Sequence, residues 1–292
     1  PGFWSNIRTK GDIHFYRNEF MQAEEEYRKL LNKTELSARA WCIYKLGCLH
    51  QIHGRYQNSK EKTEEGLELS EKIGQSTWIR GTRAGLSTIE RKLGHLDKAL
   101  EELKKIRDMA VKENDFRTQR ETMRDMGLVY LEMKAFDKAE NTANQLREMA
   151  ERSPIQKSIW NYYYLMGMIE LAKKNASKAI EYLKEGQLLL AVTNAFQLLF
   201  SDALGSAYHL AGDLENAQKE YEKIALLNTG RFEYGDTYVK SFYNLGRISE
   251  ERGLKAKASE YYEKFLDLWK DADPGIAEVK DAQKRLAGLK TD

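Results

Sequence analysis

Proline is nearly missing from this chain, with 3 in 292 residues. A sequence so poor in the residue that breaks helices favours long amphipathic helices, and the alternating apolar pattern of half-buried strands is almost absent too. Cysteine is as scarce. The two present, Cys42 and Cys48, fall on one predicted helix with Cα atoms roughly 9 Å apart, too far for a disulfide, which fits a reducing compartment. No apolar run approaches the ~20 residues that span a bilayer, and no basic start leads into an apolar stretch as in a signal peptide. The expectation is a cytoplasmic chain without membrane insertion. Neither sign of charge dominates: 47 basic residues against 45 acidic ones leave +2, which argues against a general polyanion binder, so no specific nucleic-acid partner is expected.

What the sequence does contain is a spacing. Seven times a small residue is followed twelve positions later by another: Gly11 and Ala23, Gly47 and Ser59, Ser87 and Ala99, Gly127 and Ala139, Gly167 and Ala179, Gly205 and Ala217, Gly246 and Ala258. Successive first members lie 36, 40, 40, 40, 38 and 41 residues apart, so one unit recurs along the chain and the whole is an array rather than a set of domains. In the fourth unit Met123, Met126, Gly127 and Tyr130 share one face of a helix, and Phe136, Ala139, Ala143 and Leu146 share one face of the next. Between the two helices of other units stands a glycine, Gly54, Gly94, Gly212 or Gly253, suited to a left-handed turn that ends the first helix. Each small pair is expected to sit where the two helices cross, glycine facing alanine, so that the backbones approach.

This arrangement resembles the tetratricopeptide repeat, most clearly in Lys45-Leu46-Gly47, in Leu204-Gly205-Ser206-Ala207-Tyr208 with Ala217 and Tyr221, and in Asn244-Leu245-Gly246 with Ala258 and Tyr262. The resemblance implies an all-α fold, a right-handed α-α superhelix of antiparallel helix pairs. We expect one solenoid over 1–292, with repeats at about 3–36, 39–74, 78–114, 117–152, 157–194, 197–229 and 237–273 and a capping helix over 275–290. The units are longer than the usual 34 residues, and the third carries Ser87 for glycine and Leu103 for the customary aromatic.

Signatures of chemistry are missing. There is no glycine-rich phosphate loop followed by Lys and Ser or Thr, no His-Glu-x-x-His, no Gly-x-Ser-x-Gly and no spaced cysteine pairs. No enzyme activity, cofactor, catalytic residue or metal is expected. His50 and His53, with Cys48 nearby, come nearest to a ligand cluster, but His50 occupies the register of the usual packing tyrosine, and Cys48 and His50 diverge on a helix.

Function must then reside in a surface. In the resembled family the first helices line the concave side, and the helical period selects which residues face it. The expected peptide groove comprises Arg8, Trp41, Tyr44, Lys45, Arg124, Tyr164, Met168, Lys240, Tyr243, Asn244 and Arg247. Tyrosine and arginine combine flat apolar area with directional donors, so a protein or peptide ligand is the natural partner. Charge reversal at Arg124 and Arg247 is expected to weaken that partner without unfolding the chain. The third unit differs, because Gly81, Ala84, Gly85 and Thr88 leave a bald patch that a partner or a neighbouring element of the chain can fill. The closing stretch, Phe265-Leu-Asp-Leu-Trp-Lys and then Asp273-Pro, resembles the tails of repeat regions in bacterial signalling proteins, kinases included. The reading is therefore a non-catalytic interaction scaffold within a larger bacterial signalling protein. The alternative is a ligand-gated sensory domain that controls an attached effector.

Overall fold

A computed structural model describes residues 3–31, 35–191, 194–227 and 230–291, with the side chains of 3–9 and 291 outside the description. Its described residues form fifteen α-helices and no strand. The first fourteen succeed one another as pairs: α1 Phe3–Tyr16 with α2 Phe20–Leu31, α3 Leu36–Ile52 with α4 Tyr56–Ile73, α5 Ser76–Lys92 with α6 Leu96–Lys112, and α7 Phe116–Glu132 with α8 Phe136–Glu151. Then come α9 Trp160–Ala172 with α10 Ala176–Leu188, α11 Gln197–Leu210 with α12 Leu214–Leu226, and α13 Gly235–Glu251 with α14 Lys255–Leu268, followed by α15 Ala277–Thr291.

The turns explain the pairing. Each pair is joined by three residues, and the middle one, Asn18, Gly54, Gly94, Lys134, Lys174, Gly212 or Gly253, has a positive φ between 59° and 79°. The residue after it returns its N–H to a carbonyl five residues back, as in Arg55 to His50 and Leu254 to Ser249. That bond closes the orphaned end of the first helix and reverses the chain. Contacts across the second pair confirm the reversal: Gly66 faces Ile43 while Gly47 faces Ser59 and Thr63, so one index falls as the other rises.

The crossing itself departs from the expected Gly-against-Ala contact. A Cβ placed on Gly205 would lie 2.8 Å from the Tyr221 ring, and one on Gly246 would lie 2.6 Å from that of Tyr262. In these pairs the glycine notch is filled by the large residue sixteen positions on, one helical turn beyond the alanine, whereas that of Gly127 is filled by Leu165 of α9. The alanines are nonetheless enclosed: Ala23, Ala99, Ala139, Ala179, Ala217 and Ala258 are all 0% exposed. Where serine replaces a small residue, its hydroxyl donates across the crossing, Ser59 to the Gly47 carbonyl at 2.9 Å and Ser87 to that of Ala99 at 3.0 Å. Replacing Ala139 by leucine would overfill such a crossing; we expect Ala139→Leu to lower unfolding free energy by more than ~1 kcal/mol in denaturant titration.

Packing makes two layers. Among the helix pairs in substantial contact none joins two even-numbered helices, whereas α7, α9, α11 and α13 touch in series, so the first helices form the inner layer. The series bends far enough that α13 also packs on α3. Where the repeat alone suggests an open groove, the all-α superhelix is closed by contacts between its early and late parts. Phe15 stacks on Phe232 with centroids 3.7 Å apart. Trp269, 1% exposed, donates from Nε1 to the Ile52 carbonyl at 3.0 Å, and His53 donates from Nδ1 to that of Leu268 at 3.0 Å. Gly54, left-handed at φ 68°, lies so close to Trp269 and Ala272 that a Cβ there would sit 2.9 Å from the Ala272 methyl. The main hydrophobic cluster accordingly runs from Phe15, Phe20 and Tyr27 through Phe232 to Trp269 and Ala282.

The third pair stands apart. Its Ala99, Leu100, Leu103 and Ile106 cluster with Met126 and Val129 of α7, outside the main cluster, and its Trp78 packs on Ala40, Ile43 and Leu69 of the second pair. It packs on its neighbours through α4 with α5 and α6 with α7, and ion pairs reach out of it as well: Arg83 with Glu71, Lys60 with Glu90, Arg91 with Glu132 and Lys92 with Asp236. Its inner helix α5 makes no substantial contact with α3 or α7. The small face of Gly81, Ala84, Gly85 and Thr88 leaves the space beside α5 unfilled.

Candidate functional site

The gap beside α5 is a cavity of about 460 Å³, within the range of small-molecule sites. Three helices wall it. From α3 come Ala40, Trp41, Tyr44, Gly47, Cys48 and Gln51, a single face at helical spacing; α4 adds Lys62, Thr63 and Gly66; α5 adds Thr77, Trp78, Gly81, Thr82 and Gly85. Glu233 adds a carboxylate from the connection between α12 and α13. The glycines make the room, for a Cβ on Gly81 would meet nothing within 4 Å and one on Gly85 would meet only Thr63, at 3.7 Å.

Polar groups at the cavity are few. The Lys62 amine is held by Glu65 at 2.7 Å. Glu233 is exposed and has no hydrogen bond or ion pair among the described residues. The Gln51 amide, on a residue 9% exposed, likewise lacks a hydrogen-bond partner there. Burial pushes the Cys48 thiol up to about 12, so at neutral pH it is an un-ionised wall atom rather than a nucleophile.

The sequence-derived groove residues divide between this cavity and the interior. Trp41 and Tyr44 line the cavity, Tyr44 being 42% exposed. Lys45 turns away from it: its amine lies 3.1 Å from the centre of the Phe232 ring and 3.6 Å from Asp12, and burial draws its pKa down while Asp12 opposes the shift. Arg124, 4% exposed, lies over the Trp160 and Phe196 rings at 5.1 and 4.7 Å and donates to Asp125 at 2.8 Å and to Asn161 at 3.3 Å. Tyr164 is buried edge-on to Phe200, and Met168 packs on the core. Lys240 reaches Glu278 at 2.6 Å, Tyr243 donates to Asp281 at 2.8 Å and Arg247 covers the Tyr243 ring at 5.8 Å, so α15 takes up much of this end. Asn244 is half-buried on the same helix. The Arg8 side chain lies outside the described residues.

Several residues of the site were not legible as such. Trp78 stands three positions before Gly81 and one turn before the register that was read; Gln51 lies one turn beyond Cys48 on the face already chosen. Glu233 belongs to the aromatic connection Phe232-Glu-Tyr234. Aromatic residues in a link between helix pairs are the available signal, because a solvated loop has no use for them.

A second polar group lies inside. Asp236 is 4% exposed and bonded by Lys92 at 2.6 Å; burial alone would raise its carboxyl, but Lys92 and Lys240 hold it low. Asp202 shares those lysines without a direct bond, and burial pushes its pKa up to about 6 despite them. The ionised form is thus disfavoured by folding, so this residue's contribution to stability falls as pH rises from about 4 to 6. We expect Asp202→Asn to raise the melting temperature at pH 7.5 and leave it nearly unchanged at pH 4, which scans at the two pH values will show. The His50 ring, 8% exposed with Nδ1 unpartnered, is pushed down to about 4 by burial and is neutral at pH 7. Among the described residues no three His, Cys, Asp or Glu side chains are grouped to hold a metal ion, and no helix is long and apolar enough to cross a membrane.

Comparison with known proteins follows the geometry. A tetratricopeptide repeat model matches residues 202–230 and 239–268, which fall on α11 with α12 and α13 with α14. The chain is similar in structure to the apo form of RapI, at TM-score 0.56 and 16% identity, covering 95% of this chain and 99% of that one. A tetratricopeptide repeat protein from Parabacteroides merdae is similar at TM-score 0.51 and 16% identity, with 99% of both chains covered. A signal transduction ATPase with a tetratricopeptide repeat sensor, from Pyrococcus horikoshii, is similar at TM-score 0.51 and 14% identity over 94% of this chain and 42% of that one. At these identities the likeness concerns the fold. Among curated proteins no sequence matches.

Proposed function

Because this chain belongs to the tetratricopeptide repeat family, we propose that it is a non-catalytic scaffold that takes a segment of another protein on the inner wall of its first helix pairs. The observation that carries this reading is the exposure of aromatic side chains there. Tyr44, which lines the cavity, is 42% exposed, and Tyr16 at the end of α1 is 39% exposed. Half-exposed tyrosines beside a cavity are the kind of surface that anchors a partner, since they bury large area at little entropic cost. The more charged end near α15 is occupied by its own ion pairs and offers less.

Photo-crosslinking tests this. A benzoylphenylalanine introduced at Tyr44 of the intact protein is expected to give a discrete adduct with one protein in the source cells, and the same group at Lys104, exposed on α6, is expected to give none. Adducts at Lys104 and not at Tyr44 would move the interaction to the outer layer and defeat the proposal.

A further inference from the structure

We propose that the cavity between α3, α4 and α5 binds a small organic cation: a flat apolar body carrying an ammonium group. Three independent observations converge. The walls supply aromatic area from two elements, Trp41 and Tyr44 on α3 and Trp78 on α5, around space that glycines keep empty. Aromatic faces attract cations as well as apolar groups. The charge is asymmetric: the lining cation, Lys62, already has Glu65, whereas the lining carboxylate, Glu233, has no ion partner among the described residues. Glu233 is exposed at the rim of the cavity, where an ammonium can form a charge-assisted hydrogen bond with it that an alcohol or a carboxylate cannot match, so a positive group is selected over a neutral or negative one. Finally, Gln51 lines the cavity, and its amide has no hydrogen-bond partner among the described residues, so a polar substituent of the ligand can meet it there.

The cation also joins parts that the fold leaves separate. Glu233 follows Phe232, which stacks on Phe15 and covers Lys45, so a ligand held by Glu233 and by Trp78 ties the closing connection to α5. This goes beyond protein binding and stands or falls separately from it.

The test uses the full chain and three probes of matched shape: 2-phenylethylammonium, its neutral counterpart 2-phenylethanol and the anion 3-phenylpropanoate. Titration is followed by calorimetry and by tryptophan fluorescence. We expect saturable one-to-one binding of the ammonium, at least about tenfold tighter than the alcohol, with the anion weakest. Glu233→Gln is expected to erase the advantage of the ammonium over the alcohol. Gly81→Leu fills the space and is expected to abolish binding of all three probes; because a Cβ there meets nothing, its melting temperature should not fall. Equal affinity for ammonium and alcohol, no saturable binding of the ammonium, or undiminished binding in Gly81→Leu would each overturn the proposal.

Discussion

Replacing Trp269 by alanine is expected to cost about 3–5 kcal/mol of unfolding free energy, the range for removing a fully enclosed large aromatic. The ring is 1% exposed, lies 5.1 Å from Phe265 and 6.4 Å from Tyr56, and its Nε1 donates to the Ile52 carbonyl. Truncation therefore leaves a void and an unpaired acceptor at the end of α3. The site of the damage makes the experiment informative. Trp269 follows α14, yet its partners Ile52, Gly54 and Tyr56 lie at the turn of the second pair. Amide exchange should therefore accelerate around residues 52–57 and 235–245, and much less in α7 to α10. Acceleration confined to α14 and α15 would show that the contact across the superhelix contributes nothing.

Reversing the charge of Arg124 is expected to cost a similar 3–5 kcal/mol, as for breaking a buried and bonded ion. The guanidinium lies over two aromatic faces and is bonded to Asp125 and Asn161. A glutamate there would put a carboxylate against ring faces that repel it and beside Asp125. Arg124→Met, which keeps the apolar contacts and leaves Asp125 with its 31% side-chain exposure, should lose less than half as much. Urea midpoints of the two variants decide the matter; a stable Arg124→Glu chain would mean that the interior opens readily to water. Sequence alone suggested that this reversal would spare the fold, and burial is what changes the expectation.

How far the sequence reached depends on which contacts are local. Helix pairing was legible because it rests on short-range facts: a left-handed residue such as Gly54 or Gly253 at each turn, and small residues at fixed spacing. The partner of Gly11, Gly167, Gly205 and Gly246 was misjudged by one turn, and that of Gly127 by a whole helix pair, since spacing reveals that Gly205 needs space but not that Tyr221, rather than Ala217, fills it. Of the residues read as facing inward, Trp41, Tyr44, Gly81 and Gly85 line the cavity. Lys45 and Arg124 were read as groove residues but are buried, because the rings that cover them, Phe232 and Phe196, come from connections whose path no periodicity encodes. Closure itself was invisible for the same reason: Trp269 and Ile52 are 217 residues apart, and the curvature that unites them is the sum of many small rotations.

That union alters what kind of object the molecule is. A linear stack conveys a disturbance only to the adjoining unit and weakens with every step. With Phe15 seated on Phe232 and Trp269 on Ile52 the stack becomes a hoop, in which every segment has neighbours by two routes. The inner layer of the hoop is interrupted at the glycine-bearing helix α5, which packs on α4 and α6 but makes no substantial contact with α3 or α7. Tension introduced anywhere around the circumference is thus expected to be relieved there first, as a bracelet gives at its clasp.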